Sequence, residues 1–249
     1  MNTELVGILN ITPDSFSDGG LYDDPLVAIE RAKQLFTEGA ALIDIGAEST
    51  RPNAVTLTAE QEWKRLEPVL RPLLLLFPGK ISVDSYHPET IERAFAIAPI
   101  IVNDVTGMNN QHMVEAVIKC RARVIVSHLP GVDIAEAHAF AEVSDILQVR
   151  NELLQKAAML EKLGLSSKNI VLDPGIGFGK TMELNAELLK FAKLAPDYDV
   201  MIGYSRKRFL GSNRMDLSPN LAAGRLAIAA GTRYLRVHDV AGHQALFAR

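Results

Sequence analysis

The chain has 249 residues, 48% of them apolar and 22% charged, and 26 basic against 30 acidic residues give a net charge of −4. That length suits one large core, and the mild acidity argues against a nucleic-acid binder. One cysteine, Cys120, rules out an intrachain disulfide and fits a reducing compartment; with no motif around it, it reads as an inert structural thiol. The first residues carry no basic stretch followed by an apolar run, and the longest strongly apolar stretch, residues 73–77, is far too short to span a bilayer. A cytoplasmic protein without membrane partners is expected.

Short apolar, β-branched runs alternate with longer helical patterns. The runs at 5–10, 41–46, 80–84, 100–103, 123–128, 169–173, 200–204 and 234–238 read as eight strands. Their nearly continuous hydrophobicity suits parallel strands covered on both faces. Helical periodicity fills residues 25–38, 59–76, 88–98, 140–163, 183–194 and 219–230. Asp24-Pro25 and Ser218-Pro219 place a capping side chain before a helix-starting proline, and Thr58 stands three residues before Gln61 at capping-box spacing. Gly39 and Gly164 mark helix stops. Eight strand–helix units in one chain predict a closed (β/α)8 barrel occupying residues 1–249 as a single domain, with an open doubly wound sheet as the alternative. Little chain follows the eighth strand, so the last helix must be short, and a partner subunit is expected to cover that seam.

Barrel active sites lie where strands end. Here every strand ends in polar groups: Asn10, Asp44 leading to Glu48 and Arg51, Asp84, Asn103-Asp104, Ser127-His128, Asp173, Ser205-Arg206-Lys207, and Arg236 with His238. One such residue means little, because strands commonly run into polar loops. Eight at one rim predict a polar pocket. Asp84, Asn103 and Asp173 suit a flat nitrogen-rich ring with amidine-like donors, while Arg51, Lys207, Arg236 and His238 suit phosphate oxygens. The stretch from Gly175 to Thr181 ends like a phosphate-binding loop, but Pro174 stands where that motif needs its first glycine. A tight turn after strand six is the better reading, with Phe178 beside the ligand. No histidine or cysteine has zinc-ligand spacing.

Two long motifs carry a family likeness. Asn10-Ile11-Thr12-Pro13-Asp14-Ser15-Phe16-Ser17-Asp18-Gly19-Gly20 and Asp44-Ile45-Gly46-Ala47-Glu48-Ser49-Thr50-Arg51-Pro52 resemble the two signatures of dihydropteroate synthases. Ser82-Val83-Asp84, Asn103-Asp104-Val105, Asp173 to Lys180, Ser205-Arg206-Lys207 and Arg236-Val237-His238 follow in the family's order. The resemblance implies a folate-pathway transferase, a sulfonamide target, that joins (7,8-dihydropterin-6-yl)methyl diphosphate to 4-aminobenzoate. It implies that Asp84, Asn103, Asp173 and Lys207 hold the pterin, with Asp173, Lys207 and Arg51 closest to the chemistry. It further implies that Asn10, Arg51, Arg236 and His238 meet the diphosphate, that Asn10 contacts an accompanying Mg2+, and that Thr50, Arg51, Pro52, Phe178 and Phe16 shape the aminobenzoate site. Loops 12–21 and 48–56 are expected to close over the ligands.

The sequence departs from the family pattern at Arg208, where serine is usual, at Leu129-Pro130 after His128, and at Ala47 in place of glycine. The C-terminal helix that supports the family's homodimer is short. Two other readings stay open. One is a pterin-dependent methyltransferase, which would not need the Ser-Thr-Arg-Pro and Arg-Val-His motifs. The other is a divergent pterin-binding paralogue with weak or no synthase activity.

Overall fold

A computed structural model describes residues 3–11, 25–48, 56–131, 137 and 143–247. Eight parallel strands close into a barrel in chain order: β1 (Glu4–Asn10), β2 (Leu42–Gly46), β3 (Ile81–Asp84), β4 (Ile101–Asp104), β5 (Arg123–Ser127), β6 (Ile170–Asp173), β7 (Asp199–Ile202) and β8 (Tyr234–Val237). β8 returns to pair with β1, with Val6 opposite Arg236. Every strand lies where the sequence places one. The outer layer holds α1 (Pro25–Thr37), α2 (Ala59–Leu76), α3 (Pro88–Phe95), α4 (Gln111–Cys120), α5 (Ile146–Lys162), α6 (Met182–Glu187), α7 (Leu217–Ala229) and α8 (Val240–His243).

Helix boundaries follow local chemistry. Thr58 and Gln61 close a full capping box at the start of α2, as their spacing predicts. The helix expected from residue 140 begins only at Ile146, because the Asp145 side chain accepts the Leu147 amide and starts the helix there. Asp216, not Ser218, stands before α7, which begins two residues ahead of the expected proline. The helix expected over 183–194 tightens into a 3-10 turn from Leu188 to Leu194, which buries Leu188, Leu189, Phe191 and Ala192. The sequence reading did not single out α4, although Asn110 caps it by accepting the His112 amide. Cys120, read as a structural thiol, is exposed at the end of that helix. Asp24 lies outside the described residues.

The apolar residues divide between two cores. The larger one lies between strands and helices and includes Leu9, Ile43, Leu66, Leu70, Val124, Leu153, Ile202 and Leu235. The second fills the barrel: Val6, Ile101, Ile125, Val171, Met201 and Tyr234, with Leu42 packed against them. Side chains alternate along a strand, so the next inward position is two residues on. From Leu42, Ile101, Ile125, Val171, Met201 and Tyr234 that step reaches Asp44, Asn103, Ser127, Asp173, Gly203 and Arg236. On β2, β4, β5, β6 and β8 the barrel therefore changes from an apolar plug to a polar layer in a single step toward its C-terminal rim, while Ile8 on β1 and Gly203 just past β7 stand there.

Candidate active site

The polar layer is held together by Arg236. Its Nε donates to Asp44 Oδ2 at 2.6 Å, and a terminal guanidinium nitrogen donates to Asp84 Oδ2 at 2.7 Å. The Asn103 amide donates to the same Asp44 oxygen at 3.0 Å. Sheet register places Asp84 directly beside both Gly46 and Asn103, so three neighbouring strands contribute to one patch. Asp44 and Asn103 are buried, whereas Asp84 keeps partial access to the rim.

Asp173 approaches the same patch from the other side. A Cβ on Gly203 would lie 3.8 Å from its Oδ2 and 3.9 Å from Arg236 Cδ, so Asp173 and Arg236 flank this glycine together. The Gly175 amide donates to Asp173 Oδ1 at 2.7 Å and starts the tight turn after β6. Gly175 sits at φ +65°, and a Cβ there would come within 2.1 Å of the His128 carbonyl oxygen. Only glycine fits.

Lys207 follows a strained corner. Arg206 holds φ +63°, a left-handed conformation that costs a residue with a Cβ about 1 kcal/mol. Its amide is received by Asn220 Oδ1 from α7 at 3.0 Å, which helps to fix that corner. Lys207 then turns inward, donates to the Ile176 carbonyl, and places its ammonium 4.9 Å from the centre of the Phe178 ring. Gly177 gives it room, since a Cβ there would meet Lys207 Cδ at 3.1 Å. At the end of β8, His238 Nδ1 lies 3.0 Å from Ser205 Oγ.

Burial sets the electrostatics. Burial first, and then the Asp44 carboxylate, push Asp84 up to about 7 against the pull of Arg236. Burial also raises Asp173, opposed mainly by Lys207. Burial draws Lys207 down to about 8, with Asp173 resisting. His128, which ends the β5 rim, falls to about 4 through burial and the nearby Lys180 cation, and its Nε2 lies 2.9 Å from Glu152. Three carboxylates thus face two cations in a poorly solvated pocket. Such a layer favours a ligand rich in N–H donors, or one on which positive charge develops.

The match to the pterin-binding enzyme family extends over residues 6–238. The dihydropteroate synthase of Escherichia coli K12 is 34% identical over 249 aligned positions, which cover 95% of this chain and 86% of that protein. This chain belongs to the dihydropteroate synthase family of pterin-binding enzymes. The family's solved structures agree. The Xanthomonas albilineans dihydropteroate synthase with 4-aminobenzoic acid superposes with a TM-score of 0.88 at 35% identity, over 98% of this chain and 91% of that one. The same enzyme in complex with 7,8-dihydropteroate gives a TM-score of 0.84 at 32% identity, over 98% and 90%.

Of the residues the family resemblance singles out, Asp84, Asn103, Asp173, Lys207 and Phe178 gather around the polar layer. Asn10 ends β1 on the same rim, opposite Gly46. Arg236, expected on the diphosphate, gives two of its five N–H groups to Asp44 and Asp84, because the period-two alternation aims it into the barrel. His238 continues that inward row at the rim. Phe16, Thr50, Arg51 and Pro52 lie outside the described residues, as do loop 12–21 and most of loop 48–56. Arg208 opens a short 3-10 turn and is exposed. The motifs assign Asp44 no role; the signal for it in the sequence is its inward position two residues past Leu42. Nor do they assign one to Glu48. It receives the Leu57 amide at 3.1 Å and the Tyr86 hydroxyl at 2.5 Å, and so joins the chain on either side of residues 49–55 to the start of α3.

Proposed function

We propose that this chain condenses (7,8-dihydropterin-6-yl)methyl diphosphate with 4-aminobenzoate to give 7,8-dihydropteroate and diphosphate. The observation that carries the reading is the convergence of Asp84, Asn103, Asp173 and Lys207 on one barrel mouth, in a chain of this family. The pterin ring offers an amidine edge that donates N–H groups, which Asp173 and Asp84 accept. Asn103 supplies an amide beside them, and Lys207 donates to a ring acceptor.

The bond from the pterin methylene carbon to the diphosphate oxygen breaks and leaves the electron pair on the diphosphate. Positive charge then grows on the carbon, and the net negative layer of Asp44, Asp84 and Asp173 against Arg236 and Lys207 favours that charge electrostatically. The aminobenzoate nitrogen attacks the carbon and loses a proton. The arylammonium formed is acidic enough for water or the departing diphosphate to take that proton, so no strong general base is required. Phe178, beside Lys207, offers a flat face to the incoming ring.

The described residues include no cluster of three metal-ligating side chains. The Asn10 amide oxygen is one rim ligand, which fits a magnesium ion only if the ion arrives with the diphosphate, whose oxygens and waters complete its shell. When bound there, the ion neutralises charge on the leaving group. Arg51, Arg236 with its remaining N–H groups, and His238 are proposed as the further diphosphate donors, and Thr50, Arg51, Pro52 and Phe16 as the aminobenzoate site.

A homodimer is proposed as well. α7 leaves Leu217 and Leu226 exposed, as are Met215 just before it and Phe247 after the Gln244–Leu246 turn that packs on α7. These exposed apolar side chains lie near the C-terminal end of the barrel's chain, where a partner subunit is expected. Among the described residues, no helix is long and apolar enough to cross a membrane.

The deciding experiment is a diphosphate-release assay with purified protein. Release that requires 4-aminobenzoate is the expected result. Release independent of the amine, or none, favours a pterin-binding paralogue without synthase activity.

Proton linkage supplies a second check. Pterin N–H donors stabilise the ionised Asp84, so binding lowers a value that starts at about 7. A ring acceptor stabilises protonated Lys207 and so raises a value that starts at about 8. Calorimetry in buffers of different ionisation enthalpy should show proton release on pterin binding at about pH 6.5 and uptake at about pH 8.5. The same sign at both pH values contradicts the assignment.

A further inference from the structure

Lys180 has no part in the chemistry above, yet it is the residue that made the β6 turn look like a phosphate-binding loop. Its ammonium donates to three backbone carbonyls: Gly175 and Phe178, each at 2.9 Å, and His128 at 3.2 Å. An ammonium has three N–H groups, so these bonds account for all of its donors and leave none for a phosphate. The three oxygens come from two neighbouring rim segments, one just past β5 and two from the turn after β6. They form a cage of the kind that holds a small monovalent cation, and the lysine supplies that cation covalently.

What the cage fixes explains its presence. The Gly175 amide holds Asp173 Oδ1 at 2.7 Å, the Ile176 carbonyl receives Lys207, and the Phe178 ring lies 4.9 Å from the Lys207 ammonium. All three belong to the five-residue stretch that Lys180 ties down. The outer side is fixed separately: Asn185 on α6 accepts the Gly177 amide at 2.6 Å and donates to the Lys180 and Thr181 carbonyls at 3.2 and 2.9 Å. We infer that Lys180 is a positioning residue for the pterin cradle, its ammonium standing in for a bound cation in a carbonyl cage and thereby orienting Asp173, Phe178 and Lys207. The inference rests on the pterin-binding reading above and deepens it.

The site has a pH dependence of its own. Burial and then the neighbouring Lys207 draw Lys180 down to about 7, with Asp173 and Glu152 pulling the other way. His128, the remaining titratable neighbour, is neutral there, with its own value at about 4. When Lys180 loses its proton, one of the three carbonyl bonds is lost with it.

The test measures pterin affinity by calorimetry in Lys180→Ala and Lys180→Met, with folding checked by thermal melts. Each variant should bind pterin about tenfold or more weakly than the wild type, because three charge-assisted bonds no longer hold the turn. Propylammonium matches the part of the side chain that alanine lacks. It should restore binding to Lys180→Ala, whereas propanol should not, and neither should help Lys180→Met, whose chain fills the space. Loss of the Lys180 proton at about pH 7 should weaken wild-type binding, so the affinity ratio of wild type to Lys180→Ala, in which the Asp84 dependence is common to both, should fall as pH rises through about 7. Wild-type affinity in either folded variant, or a loss in Lys180→Ala that propylammonium leaves unchanged, overturns the inference. Should the alanine variant fail to fold, the methionine variant decides alone. A wild-type protein that does not bind pterin sinks the functional reading instead, so the two failures are separable.

Discussion

Replacing Arg236 with methionine should cost about 3–5 kcal/mol of folding stability, because it leaves two carboxylates facing each other in a buried layer with their shared cation gone. The guanidinium is four-fifths covered, Asp44 is fully covered, and both bonds are short, so solvent screening gives little relief. The loss must depend on pH. Asp84 already rests at about 7 with the arginine present, and removing the arginine raises it further. Below that value the variant protonates Asp84 and sheds most of the repulsion. Toward higher pH Asp84 ionises beside Asp44 and the cost grows. Urea unfolding at about pH 8.5 and about pH 6 should therefore show a larger deficit at the higher value. Adding Asp44→Asn to Arg236→Met should recover a large part of the loss, because the neutral amide no longer repels Asp84. A single variant as stable as the wild type at the higher pH would mean that Arg236 does not neutralise this layer.

Much of this layer is legible in the amino-acid sequence. The eight strands declared themselves as short β-branched runs, because a barrel strand covered on both faces has almost no polar positions until it reaches the rim. The abrupt change at Asp84, Asn103 and Asp173 therefore marked the pocket. What the sequence does not display is the pairing across the barrel. Asp44 and Arg236 are 192 positions apart, and only strand closure brings β2 and β8 to opposite sides of β1. Without that geometry, a rim arginine in a family that handles diphosphate gives no sign that it also bridges two carboxylates. The Lys180 cage was hidden for a different reason: its partners are carbonyl oxygens, which every residue carries and no motif records. The helix ends were the least legible part. A proline at position 219 looked like a helix start, but Asp216 precedes the first helical turn, and the side chain before the proline does not set the boundary.

Asp173→Ala should weaken pterin binding tens- to hundreds-fold, which corresponds to the loss of a charge-assisted contact worth about 2–3 kcal/mol. Two effects add in that variant. The ligand loses an acceptor that burial has made poorly solvated and therefore strong, and the Gly175 amide loses the oxygen that anchors the β6 turn at 2.7 Å. Asp173→Asn separates them. Its amide oxygen still receives Gly175, so the turn stays in place, but its other atom is a donor that faces the donor edge of the pterin. If recognition is what Asp173 supplies, the asparagine variant should bind nearly as poorly as the alanine variant while melting close to wild type. If its contribution lies in the turn, the asparagine variant should bind well and only the alanine variant should fail. Lys64→Ala, on the exposed side of α2, provides the control and should leave affinity unchanged. Wild-type affinity in both Asp173 variants would remove β6 from the pterin site and leave the carboxylate layer without its ligand.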